Sequence, residues 1–159
     1  MATSNYNPYT RRQTMIASDY EIYRYRSTYM NEVELHHHDF YEVYLLLHGR
    51  VEYIVENQIY RMRPGDWMLT SPLELHQARI VTDADAYERF VLWIARPYLE
   101  RLSTPRTSLT RCFDTSVATH TNLLRVGGAQ GAQMRASIER LCGLRNSKDY
   151  GSDLLAQRA

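Results

Sequence analysis

The sequence predicts a mainly β protein: a small barrel or jelly roll followed by a C-terminal helical segment. Two observations carry this. Between about residues 19 and 95, short alternating or apolar runs recur at close, even spacing, separated by turn residues and with no helical period among them. At Arg96-Pro97 the character changes, and from Asn122 onward the apolar residues follow a helical period instead. With 159 residues, 44% of them hydrophobic, the chain can build one well-buried core and is too short for two ordinary domains.

The elements follow in order. Residues 1–14 are polar and without period, read as an arm that frays as termini do. Residues 19–29 are rich in tyrosine and alternate as a strand does, and Arg24 with these tyrosines is expected to line a polar pocket. Tyrosine faces suit sugar rings, and they suit half-exposed sheet surfaces equally. Val43 to Leu47 is an apolar run ended by Gly49, as a buried strand would be. Val51 to Val55 and Ile59 to Met62 flank Glu56-Asn57-Gln58 as a hairpin. Pro64-Gly65-Asp66 is a turn, after which Trp67 to Thr70 resumes the sheet until Pro72. Gln77 to Val81, a polar turn at Thr82 to Asp85 and the strand Tyr87 to Ala95 complete the β region. Pro97 opens a short helix through Leu102, and Pro105 lies in a loop. Along Gln133 to Leu144, the residues Met134, Ile138 and Leu141 make one apolar stripe, with Gly127, Gly128 and Gly131 weakening the start of its helix. The stripe suits packing on the barrel and a dimer seam alike. Another helical stretch covers Tyr150 to Leu155.

The residues that carry chemistry cluster between His36 and Gly49. His36, His38 and Glu42 lie two and then four residues apart, even spacings that put all three side chains on one face of an extended segment. His76 follows the turn at Pro64 to Asp66, and a strand folding back there brings it opposite the other three. Three imidazoles and a carboxylate can hold a divalent transition metal, such as Zn, Ni, Fe or Mn, and leave coordination positions open. His37 falls on the opposite face. Tyr44 and His48 share the parity of Glu42 and are the better pocket candidates, with Trp67, Arg89 and Trp93 as further candidates for ligand contact.

His36-x-His38-x-x-x-Glu42 followed by Gly49 resembles the first motif of the cupin superfamily, small β-barrels that often hold a metal through such residues. The run His38-Asp-Phe-Tyr-Glu42, then Gly49, then Tyr60 to Asp66, then Pro72-Leu-Glu-Leu-His76 resembles the N-terminal ligand-binding and dimerisation domain of AraC-family transcription regulators. The second cupin motif is altered: Pro72-Leu73-Glu74 stands where Pro-x-Gly is usual, and Ile80 where the motif closes on asparagine. The resemblance implies an arm at 1–14 that can fold over a ligand, a barrel at 15–105, and a helical dimerisation or linker segment at 106–159. It also implies a helix-turn-helix domain beyond, and the ending after Leu155 without a cap or C-terminal glycine is what a chain cut before that domain would have.

Three readings of the site stay open: a metal centre at His36, His38, Glu42 and His76, an effector pocket without metal, and ordinary polar residues of a barrel. The function expected is that of a sensor, a homodimer whose barrel binds a small polar effector and biases a DNA-binding partner domain. The alternative is a small stand-alone metal-dependent enzyme, an isomerase or oxygenase. The bulk properties narrow the field. A net charge of +1 from 19 basic and 18 acidic residues gives no electrostatic footprint for nucleic acid. Two cysteines make no disulfide framework and no leader pattern opens the chain, so a cytoplasmic protein is expected. The apolar runs are far short of the roughly 20 residues a membrane helix needs.

Overall fold

A computed structural model of the chain describes residues 6–27, 33–81 and 87–157. Seven strands arise from the β region: β1 (Tyr20–Ser27), β2 (Tyr41–His48), β3 (Val51–Val55), β4 (Gln58–Met62), β5 (Asp66–Thr70), β6 (His76–Ile80) and β7 (Tyr87–Ile94). An eighth, β8 (Leu123–Arg125), returns from the C-terminal part, and the helices are α1 (Arg96–Leu102), α2 (Gly128–Asn146) and α3 (Ser152–Ala156). The expected turn at Thr82 to Asp85 and the expected end of the first strand at Thr28 and Tyr29 lie outside the described residues.

The strands form two antiparallel sheets, one in the order β1-β7-β2-β5-β8 and one in the order β4-β3-β6. They face each other as a jelly roll, because alternation gives each strand one apolar face. Tyr25, Tyr44, Leu46, Met68, Val91 and Trp93 of the large sheet meet Val51, Tyr53, Val55, Met62, Ala78 and Ile80 of the small one in a single core. The small sheet's outer face is polar, with Glu52 held by Arg79 and Arg61.

The turns explain the order of the strands. Gly49 (φ 98°) and Gly65 (φ 93°) occupy the left-handed region that side chains resist, and they close the β2–β3 and β4–β5 corners. The β3–β4 hairpin turns on Glu56 and Asn57, with Gln58 already in the strand and Glu56 at φ 50°.

The outer face of the large sheet is equally apolar and is covered by helices. At one end Leu99 of α1 and Phe113 pack with Tyr41 over Val43, Leu69 and Ile94. At the other, Ile138 and Cys142 of α2 pack on Ile22, Leu45, Trp67 and Phe90, with Met134 and Leu141 against the same group. The apolar stripe is therefore used inside the chain: Ile138 is 5% exposed, buried by its own sheet.

The helical period expected from Asn122 onward is interrupted by β8, three residues that pair with Asp66 to Met68 of β5. Gly128 (φ 61°) and Gly131 then serve the corner from β8 into α2. A Cβ on Gly131 would stand 2.3 Å from the carbonyl oxygen of Val126, so the close backbone approach needs glycine there. No helix among the described residues is long and apolar enough to cross a membrane.

Candidate functional site

Three histidines meet between the two sheets. His36 and His76 are antiparallel bridge partners, each backbone N–H donating to the other's carbonyl at 3.1 and 2.8 Å, which sets their rings 4.3 Å apart. His38 lies 4.8 Å from the His76 ring and stacks on Phe40 at 3.8 Å. Its loop is pinned by the Leu73 N–H, which donates to the His38 carbonyl at 2.8 Å from the Pro72-Leu73-Glu74 turn, with Leu73 at φ 71°. Across that turn the His76 ring still meets those of His36 and His38.

Each imidazole is oriented by one backbone carbonyl: His36 Nδ1 on Glu34 O at 2.8 Å, His38 Nδ1 on Phe40 O at 2.9 Å, His76 Nδ1 on Glu74 O at 2.8 Å. A carbonyl only accepts, so in the neutral ring the proton sits on Nδ1 and the Nε2 lone pair is free. For His38 and His76 that Nε2 is buried and has no hydrogen-bond partner. One ligand atom from each ring lies within 4.8 Å of the others. Ligands bonded to zinc at about 2 Å stand roughly 3–4 Å apart, so the set closes on an ion with an adjustment of about an ångström. The residues fit a divalent metal: three nitrogen donors of one tautomer, each backed by the carbonyl contact that metal-bound histidines commonly have.

Glu42 stands beside this group rather than in it. The extended segment expected from His36 to Glu42 begins only at Tyr41, with a bend at Asp39 and Phe40, so the carboxylate is offset from the imidazoles. Its Oε1 accepts from the Tyr53 hydroxyl at 2.9 Å and its Oε2 from Trp93 Nε1 at 2.8 Å. His38 Nε2 is 3.5 Å from Oε2, too long for a full hydrogen bond but close enough for charge to matter. Burial works against ionisation of Glu42, yet the imidazoles of His38 and His76 and the Tyr53 hydroxyl hold its carboxyl down, at about 2. Burial pushes His76 down to about 4, so it is neutral at pH 7 and ready to donate its lone pair. Thr70, directly opposite Glu42 across β2 and β5, adds a further buried oxygen without a partner.

Of the three histidines, His36 borders a cavity of about 60 Å³ that continues along the inner face of β7, past Trp93 and Val91 to Arg89. Tyr44, Tyr53, Tyr87 and Tyr25 complete its walls. The arm closes it: Tyr9, Thr10, Arg12 and Gln13 line the same space. Residues 6–14 are thus packed rather than frayed. Asn7 pairs with Arg24 of β1 through its N–H and its side chain, both at 2.8 Å, and the Tyr9 ring meets that of Tyr25 edge-on at 5.5 Å. Glu21 is the anchor, accepting from Arg12 at 2.6 Å, from the Ala17 N–H at 2.7 Å, and from Tyr23 and the Ile16 N–H. Burial opposes its charge, but the bonds from Arg12 and Tyr23 and from the two backbone N–H groups hold the carboxyl at about 2.

Of the residues expected to contact ligand, Tyr44, Arg89 and Trp93 line the cavity. Three do not. Arg24 points to the outer face because it shares the parity of Ile22; its guanidinium bonds Glu88 at 2.6 Å and lies over Phe90. Trp67 is likewise outward, packed beneath α2. His48 follows a β-bulge between Leu46 and His48 that breaks the alternation, and it is exposed at the strand end. The sequence reading did not name Tyr53, Tyr87 or Glu21, and it had the arm at 1–14 folding over a ligand only through the family resemblance, without its contact residues. Tyr87 shares the parity of Arg89 and Trp93 and was findable; the arm contacts join distant segments and left no local signal.

The sequence matches the AraC-like ligand binding domain family over residues 19–157, most of its length. The chain belongs to that family. Similar solved structures include a Cupin 2 conserved barrel domain protein from Salinispora arenicola, 19% identical with a TM-score of 0.45, covering 60% of this chain and 76% of that one. Another is an RmlC-like cupin family protein with a double-stranded β-helix fold from Methanocaldococcus jannaschii, 14% identical with a TM-score of 0.46, covering 61% of this chain and 94% of that one. No curated protein matches the sequence. In this AraC-like domain the two sheets supply the cavity, and the family places a ligand-binding role on the chain.

Proposed function

We propose that this AraC-like domain is the effector-sensing part of a transcription regulator, and that the cavity between its sheets is where the effector binds. The observation that supports this most is that the chain's own N-terminal arm forms one wall of the cavity between the sheets. Whatever fills the cavity must keep, move or replace Tyr9 to Gln13, so occupancy and arm position are coupled, and a ligand shifts the arm by its differential affinity for the two arrangements. A helix-turn-helix partner domain and a second copy of the chain would read that shift; this readout rests on the family.

His36, His38 and His76 would hold a divalent transition ion as one wall of the site, with Glu42 compensating its charge. A bound ion there supplies a Lewis acid and open coordination positions for a polar ligand. The same open positions favour the second reading, a small metalloenzyme. Against it, both oxygens of Glu42 are engaged by Tyr53 and Trp93, so the nearest carboxylate is not poised to move a proton.

Trypsin tests the sensing reading through Arg11 and Arg12. Addition of a cavity ligand, tried as zinc and as a panel of small polar solutes, should change the rate of arm cleavage at least threefold. An arm cut at the same rate with every addition would sink the reading.

A further inference from the structure

The inner face of β7 holds a charge that no acid among the described residues balances. Arg89 is 5% exposed, and its guanidinium lines the cavity. The two half-buried arginines among the described residues have acids: Arg12 has Glu21 and Arg24 has Glu88. Arg89 has none among the described residues. Its one hydrogen bond runs from Nη1 to the Ser27 hydroxyl at 3.0 Å. It is caged instead by tyrosine rings, 4.1 Å from the centroid of Tyr87, 5.0 Å from Tyr25 and 5.4 Å from Tyr9. Aromatic faces hold a guanidinium out of water while leaving much of its planar N–H fork for an acceptor, and that fork matches a carboxylate.

The surroundings repeat the message. Tyr44 and Tyr87 hydrogen-bond each other through their hydroxyls, which uses one hydroxyl hydrogen and leaves the other for an acceptor in the cavity. Gln13 of the arm brings a buried side-chain oxygen with no partner to the same space. Glu42 does not serve as the missing anion. It bonds Trp93, which lies four residues from Arg89 on the same face of β7, roughly 13 Å along the strand, and both its oxygens are engaged.

Resting on the sensing reading above, we propose that the ligand of this cavity is a small hydroxycarboxylate, bound by Arg89 through its carboxylate and by Gln13 and the Tyr44–Tyr87 pair through its hydroxyl end. The cavity of about 60 Å³ selects for a small anion while the arm is closed.

The test uses the full chain, as isolated and after chelator treatment, with glycolate as the probe and neutral glycolamide as its match at constant ionic strength. Glycolate should raise the melting temperature and change tryptophan fluorescence saturably in both preparations, and glycolamide should do neither. Arg89→Met should weaken glycolate at least tenfold while its melting temperature without ligand stays equal to the wild type or rises, because an unpaired buried cation is removed. If that variant does not fold, Arg89→Lys decides: weakened glycolate binding supports the proposal, and unchanged binding overturns it. Equal effects of glycolate and glycolamide, or no response to glycolate, also overturn it. Glycolamide or glycerol binding that alters arm cleavage would leave sensing intact and remove only the anion; a cavity that takes neither solute nor metal removes both.

Discussion

Alternate residues of β7 live in different chemistry. Phe90 and Leu92 point out of the large sheet into an apolar seam with α2, where they pack with Ile22, Leu45 and Ile138. Arg89 and Trp93 point inward to tyrosines, a carboxylate and three imidazoles. The outer seam is held by apolar burial, complete at Ile22, Leu45, Phe90 and Ile138 and partial at Leu92, Met134 and Leu141. Among the described residues, the inner face keeps buried atoms without partners at His38, His76 and Thr70 and an arginine without an acid. Buried polar groups are ordinarily satisfied, and each that is not costs stability, so such a concentration on one face marks a place kept for binding rather than for folding.

The contrast can be broken from either side. The largest loss is expected on the outer side: Ile138→Ala should cost about 2–5 kcal/mol in a denaturant melt, the range for emptying a buried aliphatic site. A cost below about 1 kcal/mol would mean the seam does not hold α2 to the sheet.

Acid attacks the inner side. His76 titrates near 6.5 when unfolded and is pushed down to about 4 by burial, so between these values the unfolded chain binds more protons and stability rises with pH. In the metal-free chain, stability should be complete above about pH 6.5 and fall by on the order of 3 kcal/mol as the pH drops towards 4. Glu42 adds to the loss between about 4.5 and 2. His76→Gln should flatten the upper part of the curve, and an unchanged curve would free His76 of that role.

A smaller effect is expected where β8 turns into α2. Gly131→Ala meets the Val126 carbonyl and should cost about 1–3 kcal/mol by melting temperature, against the gain alanine brings to an open helix. The smallest change in global stability is at the arm. Glu21→Gln should leave the melt within about 1 kcal/mol yet speed tryptic cleavage after Arg11 and Arg12 several-fold, since it removes the charge that holds Arg12 and the Ile16 and Ala17 N–H groups.

Much of this division was legible in the sequence. Strand patterning gave β1 to β7 within a residue or two, and parity with Glu42 singled out Tyr44, which lines the cavity together with the further candidates Arg89 and Trp93. Parity failed where the backbone departs from regularity: the bulge before His48, and the bend at Asp39 and Phe40 that separates Glu42 from the histidines. It could not say which face of a strand is inside, so Arg24 and Trp67 were placed in a pocket they do not enter. β8 is three residues long and exists through its pairing with β5, a non-local contact that no period announces. The stripe of Met134, Ile138 and Leu141 was plain, but a stripe does not name its partner; within the chain Ile138 is buried against the sheet while Met134 and Leu141 are half-buried beside it.

The most direct measurement of the inner face as a binding site is a zinc titration of the chelator-treated chain, followed by metal content and tryptophan fluorescence. Uptake of about one equivalent per chain, a fluorescence change from Trp93, and loss of both in the His36→Ala/His38→Ala double variant with its fold intact are the results predicted. A wild-type chain that takes up no stoichiometric metal, or a double variant that binds it as well, would contradict the metal wall of the site.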